Sequence, residues 1–217
     1  MLGDFFDPKA EFSIREHCRP HWCQAGAVVF ITFRTRDSVP AEVVARWERE
    51  KKEWLAKRGL GQGRHWSAVL PGLSEADKFA FNKYFNRCRE VFLDRCEGKC
   101  LLSRPDLAKI VADSLLHFDG VRYRMGDFVI MPNHVHLLAA FTSEEAMNQT
   151  CDSWLHFTAF QINRLIGAKG SFWQEEPFDH IVRSPEQFDH LREYIRENPM
   201  KAGLKAGSYF YRRHQGI

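Results

Sequence analysis

The stretch DFVIMPNHVHLLAAF, Asp127 to Phe141, decides how this chain folds. It is almost wholly apolar, as in a buried strand, yet His134 and His136 stand one residue apart inside it. Side chains alternate across a strand, so both imidazoles face one way while Val135 and Leu137 face the other with the core. A buried polar group is costly without a partner. The pair therefore either makes hydrogen bonds at a sheet surface or holds a cation. Two imidazoles leave a cation undercoordinated, so the second reading demands a third donor.

Working outward, the longer segment GVRYRMGDFVIMPNHVHLLAAF is expected to supply two strands broken near Met125-Gly126-Asp127, a hairpin signal. AGAVVFITFRT (Ala25 to Thr35) is rich in β-branched and aromatic residues and reads as an earlier buried strand. Pro40 then opens an amphipathic helix with apolar positions at Val43, Val44, Trp47, Trp54 and Leu55, stopped by Gly59. Residues 61–98 are charged, aromatic and less regular, with a helix in SEADKFAFNKYFNRCREVFLDRC, and read as a helical insertion. SRPDLAKIVADSLLHF predicts a core helix capped by Ser103. SEEAMNQTCDSWLHFTAFQINRLIG predicts a helix ending at Gly167, and SPEQFDHLREYIRENP one capped by Ser184 and ended by Asn198-Pro199. Strands and helices in this order around a largely antiparallel sheet make an α+β pattern.

The bulk numbers exclude little. The 217 residues are 44 % hydrophobic and 13 % aromatic, which suits one domain (1–217) with an elaborate insertion. A net charge of +3 permits a polyanionic partner without demanding one. The opening MLGDFFDPKAEF lacks the features of a signal peptide, and the longest apolar run, AGAVVFITF, is too short to span a bilayer. The expectation is a soluble, cytoplasmic protein with no membrane partner. Six cysteines in such a chain read as free thiols. HCRPHWC and CEGKC lack the paired Cys-x-x-Cys spacing of structural zinc sites.

Candidates for the third donor in the C-terminal half are His156, Asn163, Asp179, His180, Asp189, His190, Tyr194 and Asn198. Of these, Tyr194 and Asn198 are four apart and share a helix face. Imidazoles favour zinc, iron or nickel, whereas magnesium and manganese favour oxygen, so donor chemistry leaves the metal open. A zinc hydrolase would need an acid/base partner such as the glutamate of His-Glu-x-x-His, and none is evident.

MPNHVHLL followed by FWQEEPFDHIVRSPEQFDHLREYIRENPMKAGL resembles the REP-associated tyrosine transposases, a branch of the single-tyrosine HUH nucleases that includes the small single-strand insertion-sequence transposases. The resemblance extends to HWCQAGAVVFITFRT and to LLSRPDLAKIVADSLLHFDGVRYRMGDFVIMPNHVHLL, leaving residues 61–98 outside it. It implies a ferredoxin-like sheet in which His134 and His136 bind a divalent metal, Mg2+ or Mn2+. It also implies that Tyr194 in YIRENP is the nucleophile and Asn198 the third ligand. The implied activity is cleavage and strand transfer of single-stranded or hairpin DNA through a 5′-phosphotyrosine, in a monomer, with a dimer as the alternative.

His180 and Arg183 match a recurrent His-x-x-Arg element of that family, and phosphate contact is assigned to Arg183. The basic C-terminal run YRRHQGI, with Arg212 and Arg213 within a tail of residues 205–217, is either a DNA contact or a solvated tail. Trp173 and Phe178 read as core before base-stacking platforms, with neither role assigned. The alternative function is a hairpin-binding protein of the same fold that does not cut.

Overall fold

In the computed structural model, which describes residues 2–15, 21–61, 63–93, 95–174 and 177–214, the chain opens with a short ribbon of β1 (Ser13–Arg15) and β2 (His21–Cys23). A long strand β3 (Val28–Arg34) precedes helices α1 (Ala41–Ala56), α2 (Trp66–Val69) and α3 (Glu75–Leu93). Helix α4 (Pro105–Leu116), strands β4 (Tyr123–Met131) and β5 (His134–Phe141) and helix α5 (Glu144–Ile166) follow. Strand β6 (Phe178–Ile181), helix α6 (Pro185–Lys201) and strand β7 (Phe210–Arg212) complete the order.

The strands from β3 onward form one antiparallel sheet in the order β6-β3-β5-β4-β7, giving a mixed α+β architecture. Its core face carries Val29, Ile31, Phe33, Phe128, Ile130, Val135 and Leu137, which pack with Leu107, Val111 and Leu115 of α4 and Trp154 and Ile162 of α5. The alternation anticipated for β5 holds, with Val135 and Leu137 in the core and the histidines on the other face. No helix among the described residues is long and apolar enough to cross a membrane.

The chain separates into two units, Met1–Arg36 with Lys99–Ile217, and Asp37–Gly98. The second therefore starts well before Gly61 and takes in α1. It has its own apolar clusters, one of Leu55, Val69, Leu73, Phe81 and Phe85, the other of Val43, Phe92 and Leu93. Val44, expected on the apolar face of α1, is exposed. Cys23, Cys88, Cys96, Cys100 and Cys151 carry free thiols, while Cys18 lies outside the described residues.

Three local expectations change. The hairpin turn is not at Met125-Gly126-Asp127 but at Pro132-Asn133, with Met131 paired to His134 across a two-residue loop. Met125-Gly126-Asp127 is instead a bulge within β4: Met125 pairs with Ala139 and Phe128 with Leu137, so two residues stand opposite Leu138 alone. Ser103 does not cap α4; its hydroxyl donates to the Cys100 carbonyl, closing a 3-10 turn, and Pro105 begins the helix. Helix α6 does not stop at Asn198-Pro199 but runs to Lys201. Burial of Ile195, Asn198 and Pro199 against the sheet outweighs the loss of one N–H, and Gly203, at φ 66°, ends the helix in the left-handed region.

Gly126 is the residue that makes the bulge possible. A Cβ there would lie 2.7 Å from Leu2 Cδ2 and 2.9 Å from the Leu138 carbonyl oxygen. Gly126→Ala is expected to lower stability by about 1–3 kcal/mol, whereas Gly72→Ala, which meets nothing within 4 Å, should change it by under about 0.5 kcal/mol. Urea unfolding of the two variants checks this.

Candidate functional site

Antiparallel register sets Thr32 opposite His136 and Arg34 opposite His134, with Val129 and Met131 opposite the same pair from β4. These side chains share the face turned away from α4 and α5. His134 and His136 are 0 % and 2 % exposed, with ring centroids 4.6 Å apart. Imidazoles so far from water need their ring nitrogens accounted for.

Both Nδ1 atoms are engaged. His134 Nδ1 lies 2.7 Å from Asn133 Oδ1, and His136 Nδ1 lies 2.7 Å from Thr32 Oγ1. A carboxamide oxygen only accepts, so His134 carries its hydrogen on Nδ1 and turns the lone pair of Nε2 into the site. Burial holds both imidazoles well below their ordinary pKa. For His134 the neighbouring His136 ring and the Arg34 guanidinium push the same way, and for His136 Arg34 does so. Neutral imidazoles with fixed Nδ1 partners are the form in which histidine ligates a metal.

Helix α6 closes the site. Ser184 caps it, its hydroxyl accepting from the Gln187 N–H at 3.2 Å, and the fully buried Ile195 seats it on the sheet. Tyr194 and Asn198, one turn apart, then point at the histidines. The Tyr194 hydroxyl lies 3.4 Å from His136 Nε2, and its ring meets those of His136 and Phe30 edge to face. Phe30 in turn stacks on His136 at 5.4 Å. Asn198 is 1 % exposed, and its side chain is near enough to His134 to favour that ring's charged form.

His134 Nε2 and Asn198 Oδ1 are nonetheless both buried without a hydrogen bond of good geometry. Two adjacent lone-pair donors left in that state fit a divalent cation, with His136 Nε2 as a third ligand. No cluster of three or more His, Cys, Asp or Glu with metal-binding geometry occurs among the described residues. The set here is two imidazoles and a carboxamide, all neutral. Such a set would leave the charge of a bound cation unneutralised.

The other candidates fall elsewhere. His156 is exposed and hydrogen-bonds the Asp152 carbonyl, and Asn163 donates to the Gly170 carbonyl. Asp179 sits opposite Ile31, on the core face. His180 contacts Gln187 Nε2 at 2.6 Å, while Asp189 and His190 are exposed. Arg183 is exposed, 6.0 Å from the Phe6 ring.

The C-terminal run does not stay separate from the fold: Phe210–Arg212 forms β7 along β4. Arg212 pairs with Asp119 at 3.4 Å and lies opposite Phe128, away from the histidines. Arg213 is exposed, and residues 215–217 lie outside the described residues. Trp173 is core, its indole N–H donating to Thr158, but Phe178 is 41 % exposed. Sequence reasoning passed over Thr32, Arg34 and Asn133, whose part in the site follows from register and from the turn beside His134.

No family model matches the chain, and no curated protein matches it in sequence. A solved structure of a REP-associated tyrosine transposase bound to a REP hairpin aligns over 88 % of this chain and 76 % of that one, at 13 % identity and a TM-score of 0.46. A likeness at that level establishes no kinship. What the site can do rests on its own side chains.

Because the fold keeps both imidazoles neutral, the unfolded chain takes up protons that the folded chain refuses once pH falls below about 6.5. The histidines' contribution is thus intact above that pH and lost on acidification. In metal-free protein the stability of His134→Gln should depend less steeply on pH than that of the wild type, by up to about 1.4 kcal/mol per pH unit between about pH 6.5 and 5. Urea midpoints across that range measure the difference.

Proposed function

We propose that this protein is a metal-dependent single-strand DNA nuclease and strand transferase of the tyrosine HUH kind, acting on hairpins formed by palindromic repeats. The observation that carries the reading is the convergence of one phenol with the histidine pair and the carboxamide: Tyr194 Oη 3.4 Å from His136 Nε2, beside the buried donors His134 Nε2 and Asn198 Oδ1. The sequence elements MPNHVHLL and YIRENP, which resemble that family, supply these same residues.

The sheet supports the matching ferredoxin-like description. Counting β3, β4, β5 and β6 as first to fourth strands, their spatial order is 4-1-3-2, with α4 before the second strand and α5 before the fourth.

A Mg2+ or Mn2+ ion held by His134, His136 and Asn198 would polarise the scissile phosphate and favour charge developing on its oxygens. Tyr194 supplies the nucleophile: its phenolic oxygen bonds to phosphorus, the bond from phosphorus to the 3′-oxygen breaks, and that oxygen leaves with the electron pair and takes up a proton. The products are a 5′-phosphotyrosine and a free 3′-hydroxyl. Attack by a 3′-hydroxyl reverses the step and joins strands without an external energy source.

A phenol titrating near pH ~10 is a weak nucleophile at neutral pH, so the site must favour its ionised form as the phosphate enters. Arg34, close enough to act on both imidazoles, adds positive potential at the place where a phosphate would bind. Nucleophile and ligands lie on one chain, which supports action by a monomer.

The test uses hairpin DNA with short single-stranded flanks, labelled at either end, with Mn2+, Mg2+ or EDTA. With metal, a 3′-labelled strand should become protein-linked through denaturation while a 5′-labelled strand is shortened. Tyr194→Phe, His134→Ala and EDTA should each reduce the adduct by at least about a hundredfold. A wild type that shifts the hairpin on native gels but forms neither adduct nor cut strand with any metal would sink the nuclease reading in favour of a non-cleaving binder.

A further inference from the structure

Asp127 is the one buried carboxylate among the described residues, 3 % exposed. A charge removed from water is retained only where its lone pairs are taken up, and here they are. Arg192 Nε donates to Oδ2 at 3.2 Å and Arg192 Nη2 reaches Oδ1 at 3.5 Å. The His214 backbone N–H also donates to Oδ1, at 2.9 Å. One carboxylate thus ties together the bulge of β4, helix α6 and the chain that leaves β7.

The placement follows from the bulge. Met125 and Phe128 both face the core, so Gly126 and Asp127 share the opposite face where regular pairing would put one residue. Gly126 leaves that face without a side chain, and Asp127 reaches α6.

We propose that Asp127 is a positioning residue for Tyr194, acting through Arg192; this rests on the nucleophile reading above. At 100° per residue, Ile195 lies at the middle of the buried face of α6, with Tyr194 and Asn198 on one flank and Arg192 on the other. A helix seated on a single apolar ridge can roll about its axis. The Tyr194 flank meets the His136 and Phe30 rings, with the Lys201 ammonium 5.7 Å from the Tyr194 ring centroid. On the opposite flank the ion pair of Arg192 with Asp127 ties the helix to the sheet and resists the roll. A roll of about 15° displaces a group some 8 Å from the helix axis by about 2 Å, enough to take a nucleophile out of line with its target. Asp127 cannot itself attract DNA, which separates its role from that of a phosphate contact.

The experiment compares full-length wild type, Asp127→Asn and Arg192→Lys in three measurements: hairpin affinity, the single-turnover rate of adduct formation at saturating protein, and the ¹⁹F spectrum of protein carrying 3-fluorotyrosine, with the residue 194 signal assigned by its loss in Tyr194→Phe. Asp127→Asn is expected to bind the hairpin within about twofold of wild type, to form adduct at least about tenfold more slowly, and to shift or broaden the residue 194 resonance without DNA. Arg192→Lys, which keeps the charge but not the fork, should fall between.

An unchanged residue 194 resonance, or a wild-type adduct rate in Asp127→Asn, overturns the proposal. So does a loss of affinity that accounts for the whole loss of rate. Should Asp127→Asn not fold, Arg192→Lys carries the same three readouts. Absence of adduct from the wild type would instead count against the nuclease reading, and the fluorine spectrum would still decide whether Asp127 holds the Tyr194 ring in place.

Discussion

Two imidazoles removed from water at the middle of an antiparallel sheet are the constraint around which the first unit is arranged. Each ring has two nitrogens, and neither side of the sheet offers solvent to meet them. The fold answers on Nδ1 with a turn residue, Asn133, and a strand neighbour, Thr32. On the Nε2 side it brings α6 across, with Tyr194 and Asn198. The apolar contacts of Phe30 with the His136 and Tyr194 rings help exclude water from that side. What is left is a dry, neutral pocket whose remaining demand is for positive charge, while Arg34 favours an anion nearby.

Much of this was legible from residue spacing. Period-two alternation put the histidines and the core residues of β5 on opposite faces, and helical spacing put Tyr194 and Asn198 on one face. Cap residues were mostly reliable: Ser184 starts α6 and Gly167 ends α5 as expected. The resemblance to the tyrosine transposases named the same four residues that α6 and β5 bring together.

What was not legible depended on contacts distant in sequence. Gly126 and Asp127 look like a turn until Leu138 and Arg192 are placed beside them. Pro199 looks like a terminator because its missing N–H is local information, whereas the burial that carries the helix past it is not. Arg212 looks available for DNA because Asp119, its partner, is far away in sequence. Thr32 and Asn133 are ordinary strand and turn residues by type, and only pairing register makes them part of the site. The extent of the second unit was obscured because α1 has the amphipathic pattern of any core helix. The pattern does not say which core.

The turn at Pro132-Asn133 has one further property. The Asn133 carbonyl accepts from the Thr35 N–H at 2.8 Å, and the adjacent Pro132 carbonyl accepts from the Leu102 N–H at 2.9 Å. These donors flank Asp37–Gly98, so the chain leaves the sheet and returns to it at successive peptide groups of one hairpin loop. Strand β5, which bears both histidines, is paired to β3 and β4 within the first unit. Because closing a longer loop between pinned ends adds entropy cost only as the logarithm of its length, this is a junction at which a whole segment can be lengthened, shortened or exchanged while the pairing of β3, β4 and β5 stays in register.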